Sequence, residues 1–142
     1  MDKILILLAL AWGSAIIKLN IWSVVVDTFF GVIRAIKEHK FNSSFGIDGA
    51  IRKISMIASL AFLLVLDRIV QINLIGFIPE TIRAYLPVNG IGVAEFFGLL
   101  YIAYELVSIL KNMTLCGLPV KRLWEMVKKF LSQYTNELPD NT

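Results

Sequence analysis

The feature that most constrains this chain is a long apolar stretch, residues 94–119, that carries a few polar side chains at regular steps. Steps of four and three residues place these side chains on one face of a helix. An apolar helix of membrane length with such a face requires a protein neighbour, because hydrocarbon cannot satisfy a carboxylate. The residues on this face are Ala94, Gly98, Tyr101, Glu105, Ser108 and Asn112.

The composition places the chain in a membrane. Of its 142 residues, 57% are hydrophobic and 18% are charged, whereas soluble domains have about 45–50% apolar and about 25% charged residues. The charged residues are clustered between the apolar runs and are not spread along amphipathic faces. The sequence therefore predicts an all-α integral membrane protein that forms a single domain over residues 1–142.

The apolar runs predict three transmembrane helices, at 19–36, 51–70 and 91–111, because a spanning helix needs roughly 20 residues. The N-terminal hydrophobic segment, 1–18, is too short to span alone and is expected to form an interfacial or partly inserted helix. Two alternatives stay open. Residues 4–17 form a fourth span, or the segment is a cleaved signal peptide, which Asp2 disfavours because such peptides begin with a basic region.

The first predicted span has a polar stripe of its own, formed by Asn20, Asp27, Gly31 and Arg34. A carboxylate at membrane depth costs about 2.5–3.5 kcal/mol on insertion scales. Asp27 is therefore expected to face a partner helix or water, or to be protonated, and it is assigned with Gly31 to the helix–helix or pore stripe. In the alternative, Asp27 lies at the interface and pairs with Arg34 or Lys18.

Two connecting segments differ in charge. The segment 37–50 is polar and basic, and Asp48 is expected to cap a helix that starts near Gly49. The segment 71–90 is a loop marked by prolines, and Asp67 and Arg68 are expected to pair at the membrane interface just before it. Because Lys and Arg accumulate on the cytoplasmic side, the basic loop and the C-terminus are expected in the cytoplasm and 71–90 outside.

The chain after the third span predicts a basic amphipathic helix. Gly117 and Pro119 form the exit turn, and residues 119–142 form a cytoplasmic helix with a polar tail. Its cations, as expected for a helix on an anionic membrane surface, are Lys121, Arg122, Lys128 and Lys129. Nucleic acid is not an expected partner, because this helix directly follows a span.

Nothing in the sequence predicts catalysis. The chain has one cysteine, Cys116, and one histidine, His39, and it has no glycine-rich phosphate loop. Glu95 and Glu105 are nearly three helical turns apart and cannot share one water. No catalytic residue, cofactor or metal is therefore expected.

Three motifs resemble those of the toxin-secretion/phage-lysis family of phage holins. The first is the Asp27-Thr28 pattern with Gly31 and Ala35. The second is the loop that follows the first span, with Lys40, Ser43, Ser44, Gly46, Gly49 and Lys53. The third follows the family's Glu-x-x-Ser-Ile-x-x-Asn-x-x-x-x-Gly-x-Pro signature, with Glu105, Ser108, Ile109, Asn112, Gly117 and Pro119. The chain departs from the family at Val120 and Lys121, where many members have a further proline.

The resemblance implies a holin of the bacterial cytoplasmic membrane, which forms homo-oligomers and opens the membrane to release an endolysin or a protein toxin. Asp27, Gly31, Gly98, Tyr101, Glu105, Ser108 and Asn112 would then form the helix–helix or pore-lining polar stripe. The alternative is a structural or regulatory membrane subunit, including an antiholin, that packs this stripe against a fixed partner and forms no hole.

Overall fold

The computed structural model describes residues 2–85 and 90–133, and helices make up most of both ranges. The helices are α1 (Lys3–Gly13), α2 (Ala15–Lys37), α3 (Ser43–Val70), α4 (Glu80–Arg83), α5 (Val93–Leu115) and α6 (Lys121–Ser132). A 3-10 helix, Ile75–Phe77, precedes α4. These ranges contain no strand, and the prediction of an all-α protein is confirmed. The predicted loop around Pro87 and the tail after 133 lie outside the described residues.

Three of these helices are long and apolar enough to cross a membrane, which confirms the prediction of three spans. They are Ala15–Lys37, the Gly46–Val70 part of α3, and Val93–Leu115. The alternative span at 4–17 is not among them. Helix α1 has only 11 residues, so it extends for about 16 Å, against a hydrocarbon core of about 30 Å.

The helix boundaries differ from the predicted ones at several points. Helix α2 begins at Ala15, not at residue 19, and α5 continues past residue 111 to Leu115. Helix α3 begins at Ser43, within the segment 37–50 that was predicted as a loop. The reason is its N-cap, Asn42, whose side chain accepts a hydrogen bond from the Ser44 N–H at 3.1 Å. The prediction that Asp48 caps this helix is therefore wrong.

The C-terminal ends of α3 and α5 are closed by residues with left-handed backbone. Gln71 has a φ of 52° and donates its N–H to Asp67 O at 3.0 Å. After α5, Gly117 has a φ of +94°. Leu118 N–H donates to Met113 O at 3.1 Å and Gly117 N–H donates to Thr114 O at 3.0 Å, which is the Schellman pattern. The chain thus leaves α5 at Gly117.

The chain divides into two compact units. The first contains the described parts of 1–24 and 42–103, and the second those of 25–41 and 104–142. In the first unit, Ile16 and Ile17 from α2 and Leu60 from α3 form the buried apolar cluster. In the second unit, the buried side chains are mostly polar: Asp27, Glu105 and Asn112, together with Ile109.

The outward faces of the long helices are apolar. Large side chains such as Trp22 (65% exposed), Phe62 (68%) and Leu106 (55%) point away from the described parts of the chain. Water disfavours such surfaces, whereas hydrocarbon accepts them at no cost. Exposed apolar faces, with polar side chains such as Asp27, Glu105 and Asn112 buried, are the arrangement expected of helices packed within a bilayer.

Candidate pore-lining polar contacts

The second unit contains a direct hydrogen bond between two buried polar side chains of different spans. Asn112 Nδ2, on α5, donates to Asp27 Oδ1, on α2, at 3.0 Å. Asp27 is 5% exposed and Asn112 is 8% exposed. Gly31 lies one turn after Asp27, and a Cβ added there would lie 3.8 Å from Asn112 Nδ2, which is an ordinary contact. The structure therefore brings together three residues of the predicted polar stripe.

Glu105 and Ser108 lie on the same helix as Asn112, at the spacing that the sequence predicts. Glu105 is fully buried, and Ser108 is half-buried. Burial of a carboxyl group in a spanning helix keeps it away from lipid, where its charged form is expensive. The second unit thus holds two carboxyl groups, Asp27 and Glu105, in its interior.

The first unit has a close contact between α2 and α5 at Gly98. Asn20 Nδ2 donates to Ile16 O at 2.8 Å and to Gly98 O at 3.2 Å. A Cβ at Gly98 would overlap Ile16 Cγ1 and lie 3.2 Å from Asn20 Nδ2. Glycine is therefore required here, because it lets the two helices approach closely enough for the Asn20 side chain to reach a backbone carbonyl.

Tyr101 joins α5 to α3 in the same unit. Its hydroxyl lies 3.1 Å from Ser59 Oγ. Because the Ser59 hydroxyl donates to Met56 O at 2.8 Å, Tyr101 is the donor in this pair. Ser59 and Asn20 had not been predicted as contacts of the α5 stripe. For Asn20, its place on the polar stripe of the first span was a sequence signal that could have indicated this contact. For Ser59, the sequence contains no such signal.

Asp67 caps α5 and is not paired with Arg68, so the predicted ion pair is wrong. The Asp67 carboxylate accepts hydrogen bonds from Val93 N–H at 2.8 Å and Ala94 N–H at 2.9 Å. These are two of the N–H groups that the first turn of a helix leaves unsatisfied. A Cβ at Gly92 would lie 2.6 Å from Asp67 Oδ2. A side chain on α3 therefore closes the N-terminus of α5.

Asn73 holds the chain next to this cap, and turn chemistry was the only sign of this role in its sequence. Its Oδ1 accepts hydrogen bonds from Ile75 N–H at 3.1 Å and from Ile91 N–H at 3.0 Å. Glu95 Oε2 accepts from Gly92 N–H at 3.0 Å. The segment that leads into α5 is thereby held to the end of α3 by side-chain acceptors.

The C-terminal end of α5 is held to α2. Lys37 Nζ donates to Leu115 O at 3.2 Å, and Cys116 Sγ lies 3.6 Å from Phe30 O. A cation at this position satisfies a terminal carbonyl and complements the helix dipole. Cys116 is half-buried. The predicted exit-turn residues, Gly117 and Pro119, follow directly.

The predicted family-motif residues lie around the start of α3; they are Lys40, Ser43, Ser44, Gly46, Gly49 and Lys53. Lys40 lies in the connection between α2 and α3, and the others lie in the first turns of α3, which are largely exposed. The predicted surface cations lie on α6, where Lys128 is half-buried and the others are exposed: Lys121, Arg122 and Lys129.

Apolar spanning helices that enclose carboxyl and amide groups define a multi-pass membrane protein whose helices pair through polar contacts. Residues 4–136 match the sequence model of the bacteriophage holin family. The chain belongs to this family. It is a holin, a membrane protein that permeabilises the cytoplasmic membrane, and its family is not one of enzymes. The resemblance seen in the motifs is confirmed.

A curated relative supports the same assignment. The chain is 50% identical, over 123 residues, to the holin-like protein TcdE of Clostridioides difficile. The match covers 86% of this chain and 74% of the relative. No solved structure is similar enough to match the chain.

Proposed function

We propose that this holin opens the membrane by moving buried polar side chains of its spans to the wall of a water-filled hole. The observation that carries the proposal is the hydrogen bond between Asn112 and the buried Asp27, together with full burial of Glu105. In the closed arrangement these groups avoid lipid by facing protein. Rearranged between several copies, the same groups would face water, which solvates them equally well.

The hole is formed by copies of the chain in the bacterial cytoplasmic membrane, and its cargo is an endolysin or a protein toxin. One argument for self-association is that, among the described residues, few apolar side chains are buried and many large ones on the long helices are exposed. The membership in a phage holin family supports a protein cargo. The cargo itself does not have to bind the chain, because an open hole is sufficient for release.

The C-terminus faces the cytoplasm. The end of α2 and the beginning of α3 carry Arg34, Lys37, Lys40, Arg52 and Lys53, and the segment after α5 is also basic. The segment 79–90, on the opposite side, has only Arg83. This distribution of Lys and Arg sets the orientation of short loops. With three spans, the N-terminus lies outside.

The opening is expected to depend on membrane voltage. An ionised carboxylate that crosses the whole field contributes about 2.3 kcal/mol per 100 mV. If Asp27 or Glu105 moves while ionised, depolarisation changes the balance between closed and open arrangements. This accounts for an abrupt opening, because the first holes depolarise the membrane and thereby favour others.

The test is the time of depolarisation after induced expression in bacteria, with and without a co-expressed endolysin. We expect sudden depolarisation after a delay, and lysis only when the endolysin is present. Asp27→Asn and Glu105→Gln should each change the delay at equal expression. Glu125→Gln is the matched control, because Glu125 lies exposed on α6, and it should leave the delay unchanged.

Two outcomes would contradict the proposal in different ways. A membrane that stays tight at high expression would indicate the structural or regulatory subunit, including an antiholin. If both Asp27→Asn and Glu105→Gln depolarised the membrane after an unchanged delay, the chain would still be shown to act as a holin. The buried carboxyl groups would then be excluded as pore-lining groups.

A further inference from the structure

Helix α6 carries a strip of exposed apolar side chains that the hole-forming spans do not explain. Leu123 is 51% exposed, Met126 is 63% exposed and Phe130 is 59% exposed. Their spacing of three and four residues places them on one line along the helix. We refer to these three residues as the α6 strip.

The two edges of the α6 strip differ in character. At 100° per residue, Trp124, Val127 and Leu131 lie along one edge, and all three are half-buried. Arg122 and Lys129 lie along the other edge, and both are exposed. The strip therefore has a half-buried apolar edge on one side and a cationic edge on the other. Rotating α6 to bury the strip against the rest of the chain would expose the half-buried edge.

The exit turn keeps α6 close to the end of α5. Gly117 has a left-handed φ of +94° and closes α5 with the Schellman pattern. Lys37 Nζ donates to the carbonyl of Leu115. Only the short segment from Gly117 to Val120 lies between this end of α5 and the start of α6. Because α5 is a membrane span, α6 begins near the membrane surface.

We propose that the α6 strip docks into the surface of an anionic phospholipid bilayer, with Arg122 and Lys129 against the lipid phosphates. Exposed apolar side chains gain from leaving water at the level of the acyl chains, and flanking cations are attracted to anionic headgroups. The chemistry that recognises the helix is thus a negatively charged headgroup beside an apolar layer.

The charge of α6 disfavours a second copy of the same helix as the occupant. The helix carries four cations and one carboxylate, Glu125, so two copies brought face to face would repel each other. A bilayer with anionic lipid offers the opposite charge. This inference depends on membrane insertion of the chain and not on hole formation, so it can fail or succeed independently of the proposed function.

The experiment uses the full chain reconstituted in phosphatidylcholine vesicles, with and without phosphatidylglycerol. In a Cys116→Ala background, Met126→Cys carries an environment-sensitive fluorophore on the α6 strip. Glu125→Cys, labelled in the same way, is the matched control on the polar face. We expect the Met126 probe to move to an apolar environment, shielded from an aqueous quencher, when phosphatidylglycerol is present. The control probe should remain accessible.

Removal of the cationic edge provides the second arm. Each basic residue near an anionic surface contributes about 1 kcal/mol, so each of Arg122→Gln and Lys129→Gln should lower the docked-to-undocked ratio roughly fivefold. Added salt should act in the same direction. Shielding that is equal in both vesicles and insensitive to these variants would overturn the proposal. Shielding that disappears when the protein is diluted among more vesicles would overturn it in favour of a second copy.

Discussion

At the scale of single residues, Gly98 determines how closely α2 and α5 approach in the first unit. Gly98→Ala should lower the free energy of unfolding, because the added methyl overlaps Ile16 and crowds Asn20. Overpacking of this kind costs about 1–3 kcal/mol. Better helix propensity returns at most about 1 kcal/mol. The measurement is unfolding of the detergent-solubilised protein, followed by circular dichroism.

Gly31→Ala is the control for this prediction. Its added Cβ would meet Asn112 Nδ2 at 3.8 Å, an ordinary van der Waals distance. We therefore expect its stability to equal or slightly exceed that of the unmodified chain. If both alanine variants were equally stable, the close approach at Gly98 would not contribute to the packing of the spans.

Some of the residue contacts follow from the sequence and others do not. The steps of three and four residues place Glu105 and Asn112 on one face of a helix, and both are buried. The identity of the partner depends on how two helices are aligned along each other. Asp27 was expected to pair with Arg34 or Lys18 in one alternative, yet Arg34 Nε donates to Glu38 at 3.1 Å and Asp27 accepts from Asn112. A single sequence contains no measure of that alignment.

At the scale of elements, the N-terminus of α5 depends on a side chain that belongs to α3. Asp67→Ala should remove the carboxylate that accepts hydrogen bonds from the N–H groups of Val93 and Ala94. The loss of an N-cap of this kind costs about 0.5–2 kcal/mol. Hydrogen exchange should therefore be faster at the first turn of α5 and unchanged at its C-terminal end, where Lys37 and Gly117 close the helix.

Arg68→Gln is the appropriate comparison for the cap. Arg68 is adjacent in sequence and exposed. Removal of the Arg68 charge should leave the rate of hydrogen exchange at the first turn of α5 unchanged. If Arg68→Gln and Asp67→Ala increased the rate of hydrogen exchange equally, a general effect of charge at the membrane interface would explain the result. Loss of the Asp67 cap would then not be the cause.

The elements themselves were largely predictable, with errors at their ends. Apolar length identified the three spans, since only a run of about 20 residues crosses hydrocarbon. The start of α3 was missed because both Asn42 and Asp48 are favourable caps, and local sequence does not rank them. The role of Asp67 was missed because its backbone partners lie more than twenty residues further along the chain.

At the scale of the whole molecule, the orientation in the membrane can be tested by cysteine accessibility. In a Cys116→Ala background, we expect Thr81→Cys to react with a membrane-impermeant reagent from outside the cell. Ser44→Cys and Gln133→Cys, both at exposed positions, should react only after permeabilisation. The labelling must precede depolarisation, because an open hole admits the reagent. Reaction of Gln133→Cys in intact cells would place the C-terminus outside and contradict the orientation.

The class of the molecule followed from composition and its family from three motifs, whereas its internal contacts required the structure. Hydrophobic content and the clustering of charge are properties of the chain as a whole. The inner polar pairs depend on which faces of α2, α3 and α5 meet. Ser59 illustrates this, because nothing in its neighbourhood distinguishes it from Ser55, yet only Ser59 lies within hydrogen-bond distance of Tyr101.

The pairing of Asp27 with Asn112 also has a consequence in time. The two residues are separated by 85 positions. At a synthesis rate of about 5–20 residues per second, Asn112 is made roughly 4–17 s after Asp27. Helix α2 thus reaches the ribosome's exit before its α5 partner exists. The hydrogen bond between them can form only in a chain translated beyond residue 112, so this contact between α2 and α5 is absent from every shorter nascent chain.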